Sequence, residues 1–195
     1  VPVNRSITAT FSKAMNAATI STGTFTVTGA TPVTGAVIYN AASNTATFTP
    51  SANLAANTTF TATITAGAQD TAGNALASGG SAPNPWTFTT GSTTDTTAPT
   101  VIATDPANTA TGVPINKRIT ATFSESMDPA TITTATFTVT GPGVTPVAGT
   151  VTYAAVSKTA TFTPSANLAA NILFTATVTV GAKDLAGNAL AGGGT

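Results

Sequence analysis

The sequence ITATF occurs at Ile119–Phe123 and again at Ile7–Phe11, and its alternation of apolar residues with threonine decides the fold class. Successive side chains of a β-strand point to opposite faces, so Ile119, Ala121 and Phe123 share one face and the threonines share the other. A period of two residues therefore predicts a strand with one buried face. The same alternation recurs at Phe137–Thr140, Thr159–Thr163 and Phe174–Val180.

Most of the sequence is present twice. The segment VPINKRITATFSESMDPATI at Val113–Ile132 repeats VPVNRSITATFSKAMNAATI at Val1–Ile20, and the copies differ mainly at charged positions. Repetition of this kind is typical of modular arrays, in which each unit folds around its own core. We therefore predict a domain at residues 1–92, a short linker at 93–99 and a second domain at 100–195.

The strands of one complete module are predicted by combining the two copies. In the second copy, strands A to F are predicted at Thr100–Thr104, Lys117–Ser124, Thr136–Thr140, Val147–Tyr153, Thr159–Thr163 and Phe174–Val180. The seventh strand, G, has a counterpart only in the first copy, at Trp86–Thr90, and strand A only in the second. The predicted fold is all-β: two tandem immunoglobulin-like β-sandwiches of about seven antiparallel strands each, with a barrel as the alternative.

Two short helical turns are predicted between strands. In MDPATI, Asp128 is placed to cap a turn that begins at Pro129, and in PSANLAAN, Ser165 is placed to cap a second turn. The first copy has MNAATI in place of MDPATI, which predicts a weaker turn there.

The composition argues against several classes of function. Only 6% of residues are charged and the formal net charge is +0, so a nucleic-acid partner is not expected. The sequence has no run of 18 apolar residues, so membrane insertion is not expected. Cysteine and histidine are both absent, which removes the usual zinc ligands and the usual activated nucleophiles. We predict that the chain is not an enzyme.

Four acidic residues are expected near the junction of the two domains, namely Asp95, Glu125, Asp128 and Asp184. In one interpretation their oxygen atoms converge from separate loops to bind Ca²⁺, the only cofactor that the sequence suggests. In the other, Asp128 caps a turn, Asp184 and Asn188 shape a turn that contains glycine, and Glu125 pairs with a lysine. In the first copy, the positions of Glu125, Asp128 and Asp184 are occupied by Lys13, Asn16 and Asp70.

Several segments together resemble the bacterial Ig-like domain family of the type found in S-layer proteins. They include DTTAPTV, DPANTATGVPIN, ITATFSESMDPATI and TATFTPSANLAAN, followed by FTATVTVGAKDLAGNAL and, in the first copy, WTFTT. Members of that family occur as tandem units in large secreted or surface-anchored proteins, usually as spacers. The resemblance implies an extracellular or cell-surface location and neighbouring Ig-like repeats as partners.

Three functions are compatible with these features. The first is a structural spacer or stalk that projects a functional domain located elsewhere in an adhesin or S-layer-like protein. The second is a filament subunit, a homopolymer in which a neighbouring chain completes the sheets left without strand A or strand G. The third is a weak carbohydrate- or ice-binding surface formed by outward threonines such as Thr120 and Thr122.

Overall fold

A computed structural model of the chain describes residues 1–77 and 82–192, which form two compact units. The first unit comprises Val1–Thr96 with Leu185–Gly187, and the second comprises Thr97–Asp184 and the residues from Asn188 onward. The predicted linker at 93–99 stays a prediction. The predicted end of the second domain, at residue 195, lies outside the described residues.

The first unit contains two antiparallel three-stranded sheets. Strands β1, β4 and β3 form one sheet in that order, and β2, β5 and β6 form the other. In the lettering above, these sheets are B-E-D and C-F-G. The strands are β1 (Ile7–Thr10), β2 (Phe25–Thr28), β3 (Gly35–Asn40), β4 (Thr45–Pro50), β5 (Thr59–Ile64) and β6 (Trp86–Thr89).

The second unit repeats this arrangement with a different set of strands. One sheet has the order β10-β11-β8-β7, or D-E-B-A, and the other pairs β12 with β9, or F with C. Placing A, B, E and D in one sheet and C, F and G in the other is the immunoglobulin arrangement, which confirms the predicted fold. The strands are β7 (Val101–Asp105), β8 (Ile119–Phe123), β9 (Phe137–Thr140), β10 (Gly149–Ala154), β11 (Thr159–Pro164) and β12 (Thr175–Val178).

Each unit has its own core, built from the apolar faces of its two sheets. The rings of Phe25 and Phe48 lie 5.8 Å apart in the first unit, and their counterparts Phe137 and Phe162 lie 6.1 Å apart in the second. These rings join one sheet to the other, so the alternation in the sequence identified the core correctly. Trp86 packs on Phe25 at 5.9 Å, as expected for a strand G residue that contributes to the core.

Two threonines of β4 are buried although the alternation places them on the face opposite the core. Thr45 and Thr47 are buried, with exposed fractions of 4% and 1%. Strand β4 lies in the centre of its sheet, and Thr47 is flanked by Thr8 on β1 and by Ile38 on β3. Neighbouring side chains on the same face therefore cover the centre of the sheet.

One of the two predicted helical turns is present. A 3₁₀ turn at Pro129–Thr131 is capped by the Asp128 carboxylate, which accepts a hydrogen bond from the Ala130 N–H. The first unit has an equivalent turn at Ala17–Thr19, in which the Asn16 side chain accepts the same kind of bond, and the expected weakening of this turn stays a prediction. A third 3₁₀ turn, unexpected, covers Pro142–Val144.

The predicted turn in PSANLAAN does not form a helix. Instead, the Leu168 N–H donates to the Ile115 carbonyl at 2.8 Å, and the equivalent Leu54 N–H donates to Val3 at 2.7 Å. A bond to a distant segment thus replaces the local helical bond. Among the described residues, the helices are three residues long and none could cross a membrane.

Candidate functional site

The loop that follows strand F forms the same closed turn in both copies of the repeat. In the second unit, the Asn188 N–H donates to the Asp184 carboxylate at 2.8 Å, and Asn188 Nδ2 donates to the other carboxylate oxygen at 2.8 Å. Gly187 has a φ of 91°, a conformation that favours glycine. The DLAGN segment is therefore held by its own side chains, and Asp184 is buried at 2% exposure.

In the first unit the corresponding carboxylate is Asp70. It accepts hydrogen bonds from the Asn74 side chain at 2.9 Å and from Lys13 Nζ at 2.9 Å. Asn74 is the larger influence and Lys13 the second, and together they hold the pKa of Asp70 well below its usual range. Asp70 is thus fixed as an anion that organises the turn.

The two units differ in charge beside this carboxylate. Lys13 of the first unit is replaced by Glu125 in the second, and a carboxylate oxygen of Glu125 lies within 4.8 Å of one of Asp184. An ion pair in one unit thus corresponds to two neighbouring carboxylates in the other, and like charges at this distance repel each other. Two carboxylates could contribute ligands to a cation, although Ca²⁺ requires six to eight oxygen atoms.

The other two residues of the predicted calcium site have local roles of their own. Asp128 caps the 3₁₀ turn at Pro129–Thr131. Asp95 belongs to the first unit, where its backbone N–H donates to Asn4 Oδ1 at 2.9 Å and its carbonyl accepts from Asn4 Nδ2 at 2.9 Å. The turn roles foreseen for Asp128 and Asp184 are therefore present, while calcium binding by Asp95, Glu125, Asp128 and Asp184 stays a prediction.

The loops that carry Glu125, Asp128 and Asp184 meet at one end of the second unit, as the strand order predicts. The Asp128 N–H donates to the Lys183 carbonyl at 2.8 Å, which joins the B–C loop to the F–G loop. Lys158 Nζ donates to the Ser124 carbonyl at 3.0 Å, which joins the D–E loop to the B–C loop. A cationic side chain thus lies close to the loop that carries Glu125.

A tyrosine fixes the B–C loop in each unit. Tyr39 accepts a hydrogen bond from the Met15 N–H at 2.8 Å and donates to Asn44 Oδ1 at 3.1 Å. Tyr153 accepts the equivalent bond from the Met127 N–H at 2.9 Å. Both tyrosines therefore have a structural role, since each holds the B–C loop of its own unit.

Threonine hydroxyls pair with one another across neighbouring strands. The hydroxyl oxygens lie 3.1 Å apart in Thr10–Thr45 and Thr122–Thr159, and 3.0 Å apart in Thr59–Thr89. Such pairs stabilise sheets. At these positions the hydroxyls form hydrogen bonds with each other within the sheet. They are therefore already engaged and do not point freely toward a sugar or an ice surface.

The strand pattern did not predict a large apolar groove in the second unit. The groove has a volume of 1260 Å³ and lies between strand β12 and the loops that follow β7 and β11. The lining combines strand residues such as Phe137 and Val139 with loop residues such as Asn108 and Leu173. Its lining comes from segments far apart in the sequence, so no local pattern could have found it.

Two solved structures with similarity to this chain are of an S-layer protein. The N-terminal part of the bacterial S-layer protein SbsC is 15% identical with a TM-score of 0.39, and the match covers 90% of this chain and 42% of that chain. The S-layer protein rSbsC(31–844) is 16% identical with a TM-score of 0.37, and the match covers 96% of this chain and 32% of that chain. This chain thus spans less than half the length of either protein.

Among curated proteins no relative matches the chain. The family model described as bacterial Ig-like domain matches residues 1–90 and again residues 95–195. These two matches cover most of the sequence and coincide with the two copies of the repeat. The chain therefore belongs to the bacterial Ig-like domain family and contains two tandem domains of that family.

Proposed function

We propose that the two domains are structural spacers of a bacterial extracellular or cell-surface protein, where they project a functional domain located elsewhere, and that they are not enzymes. The observation that carries this proposal is that polar side chains of the loops form hydrogen bonds within the loops themselves. Asp70, Asn16, Asp128 and Asp184 all accept hydrogen bonds from neighbouring backbone N–H groups. Their polar atoms hold the loops in place, as a domain with a mechanical role requires.

The surface composition supports the same function. Charged residues make up 6% of the chain, and threonine occupies the outward positions of most strands. A surface with little charge has weak long-range attraction for ions, nucleic acids or charged membranes. A spacer benefits from such a surface because the spacer must separate two functional regions without binding charged molecules from its surroundings.

Stretching of single molecules tests the spacer role. Each domain should stay folded until a defined force and then unfold in one event. A domain as long as residues 1–90 should then release roughly 30 nm of chain, at about 3.3–3.6 Å per residue. Two such events per molecule are expected, and gradual extension without force peaks would contradict the proposal.

The location is tested separately with antibodies raised against this chain. Intact cells of the source bacterium should be labelled as strongly as permeabilised cells. Labelling that requires permeabilisation would contradict the cell-surface location while leaving the mechanical role to be decided by stretching.

A further inference from the structure

Strand D forms one edge of its sheet in both domains. In the described part of the chain, β3 pairs with β4 and β10 pairs with β11, and no strand lies on their other sides. Both edge strands are six residues long, and each pairs with its neighbour without a shift in register. An unpaired strand edge can pair with a strand of another molecule, so proteins usually protect such edges.

The edge strand β7 carries two of the usual protective features. Its pairing with β8 has a register shift after Val101, and the strand ends at the charged residue Asp105. Strand β3, with the sequence GAVIYN, has no charge, no proline and no register shift. Residues 14–69, which include β3 and its neighbour β4, contain no charged residue at all. Two copies of the β3 edge therefore meet without charge repulsion.

The backbone of β3 has hydrogen-bonding groups that point away from its own sheet. The Thr34 carbonyl accepts a hydrogen bond from the Ser51 N–H at 2.9 Å. In an antiparallel pair such bonds involve every second residue, and the backbone groups of the residues in between point the other way. The N–H and C=O groups of Gly35, Val37 and Tyr39 therefore point towards the free edge.

The side chains along this edge suit pairing with an identical strand. Ile38 is 56% exposed and shares the outer face of the sheet with Ala36, whereas Val37 lies across from Phe48 on the core face. When Val37 pairs with Val37 of a second copy, Ile38 lies opposite Ala36 of that copy. A large side chain thus lies opposite a small one at both ends of the pair, and apolar surface that is exposed in one chain becomes covered.

The equivalent edge of the second domain is more polar. Thr152 occupies the position of Ile38, and Lys158, in the turn that follows β10, occupies that of Asn44. A threonine covers less apolar surface than an isoleucine does, and a lysine beside an edge strand disfavours pairing. The first domain therefore has the edge that is suited to association.

We propose that the edge of β3 is a self-association site, through which two copies of this chain pair antiparallel about a two-fold axis at Val37. The sheet β1-β4-β3 of one chain then continues into β3-β4-β1 of the second. Because both copies use the same surface, the association closes at a dimer. A contact limited to one strand edge is small, so its dissociation constant is on the order of 0.1–1 mM. This contact goes beyond the spacer function, since it links neighbouring chains laterally.

The solution mass of the full chain tests the self-association. Over a concentration series from about 10 µM to about 2 mM, the average mass should rise from the 19.0 kDa of one chain towards twice that value. Ile38→Lys places a charge at an exposed position of the edge and should keep the chain monomeric. Thr152→Lys is the matched control in the second domain and should dimerise as the natural chain does. A natural chain that stays monomeric, a mass that rises beyond the dimer, or dimerisation of Ile38→Lys to the natural extent would overturn the proposal.

Amide exchange locates the contact within the dimer. The N–H groups of Val37 and Tyr39 should exchange about two- to sevenfold more slowly at 2 mM than in dilute solution, as the fraction of dimer dictates. The N–H of Val151 in β10 is the internal control and should exchange at the same rate throughout. Slowing at Val151 without slowing at Val37 would place the contact on the second domain and overturn the proposal.

Engineered cysteines test the register, because the chain has no cysteine of its own. In the proposed dimer, residues 36 and 38 of opposite copies form a non-hydrogen-bonded pair, in which the Cβ atoms are close enough for a disulfide. An equimolar mixture of Ala36→Cys and Ile38→Cys should therefore form linked dimers faster than either variant alone. A mixture of Thr150→Cys and Thr152→Cys is the matched control and should react slowly. Equal rates in all samples would overturn the proposal, while the spacer function is tested by stretching single chains and does not depend on this result.

Discussion

A single side chain makes the F–G loops of the two domains electrostatically different. Lys13 pairs with the buried Asp70 at 2.9 Å, whereas Glu125 lies within 4.8 Å of the buried Asp184. The surrounding turn is otherwise the same, with Asn74 and Asn188 donating to the two aspartates. The exchange of Lys13 for Glu125 therefore alters a local interaction and leaves the turn of the backbone intact.

Glu125→Lys should convert the second domain to the arrangement of the first. We expect stabilisation by about 0.2–1 kcal/mol in the presence of a chelator, because a repulsive pair becomes an ion pair that is partly exposed to solvent. Amide exchange at Phe137–Thr140 measures the stability of this domain. The reverse change, Lys13→Glu, should destabilise the first domain and serves as the matched control.

The same variant tests the calcium prediction. If Ca²⁺ binds at Glu125 and Asp184, millimolar Ca²⁺ should stabilise the natural chain by mass action and leave Glu125→Lys unchanged. An equal response of both chains to Ca²⁺ would contradict a site at this pair.

Acid should weaken the first domain through Asp70. Hydrogen bonds from Asn74 and then from Lys13 hold the pKa of this carboxyl below its ordinary value of 3.8, which it regains on unfolding. The unfolded chain therefore binds the proton more readily. The stabilisation is fully present above 3.8 and is lost progressively as the pH falls below that value towards the lower pKa of the folded domain.

Trp86 reports on this domain, since it is the only tryptophan of the chain. Urea midpoints followed by its fluorescence should fall with pH in the natural chain and change less with pH in Asp70→Asn. Asn74→Ala should reduce the pH dependence more than Lys13→Met, because Asn74 has the larger influence on the pKa. The reverse order would contradict this account.

At the scale of the element, strand D begins with a glycine because a phenylalanine of strand E lies across it. A Cβ atom on Gly149 would approach the Phe162 ring at 2.5 Å and the Thr163 carbonyl oxygen at 2.6 Å. Gly35 has the same relation to Phe48 and Thr49 in the first domain. The close approach allows the ring to lie flat under the strand and fill the core.

Gly149→Ala should destabilise the second domain by about 1–3 kcal/mol, the usual cost of forcing extra volume into a packed core. One of the two close neighbours is a backbone atom, so a rotamer change alone cannot relieve the clash. Denaturation followed by amide exchange at β11 measures the loss. Gly23→Ala is the control, because its nearest neighbour would be Ser21 Oγ at 3.6 Å, and it should be nearly neutral.

The elements that could be predicted from the sequence are those whose structure depends on residues close together in the chain. Alternation located the strands, as at Ile119–Phe123, because one face of each strand packs on the core. Asp128 and Pro129 predicted a turn because capping depends on adjacent residues. The segment after Pro164 was predicted wrongly, because the Leu168 N–H bonds to Ile115, far away in the sequence.

The candidate site was predictable only in part for the same reason. The strand order brings the loops of Glu125 and Asp184 together, so their proximity could be expected. The bonds from Asn188 that fix Asp184 depend on the exact path of the turn. The groove beside β12 is lined by segments that lie far apart in the sequence, so local patterns could not predict it.

At the scale of the whole molecule, stability derives from apolar burial and backbone hydrogen bonds, with a small share from charge. The chain has 6 basic and 6 acidic residues in 195. In the ion pair Lys117–Asp105 the side chains are 34% and 61% exposed, so salt screens their attraction. Exposed pairs of this kind contribute about 0–1 kcal/mol each.

Raising NaCl from about 20 mM to about 500 mM should therefore shift the free energy of unfolding by less than about 1 kcal/mol, although the Debye length falls several-fold over this range. Sodium sulfate at equal ionic strength should stabilise the chain more, because sulfate is excluded from protein surfaces and strengthens apolar burial. Urea denaturation in each salt, compared with the double variant Lys13→Met and Lys117→Met, measures both effects. A large loss of stability in NaCl that the double variant abolishes would show that ion pairs, and not the two apolar cores, hold these domains together.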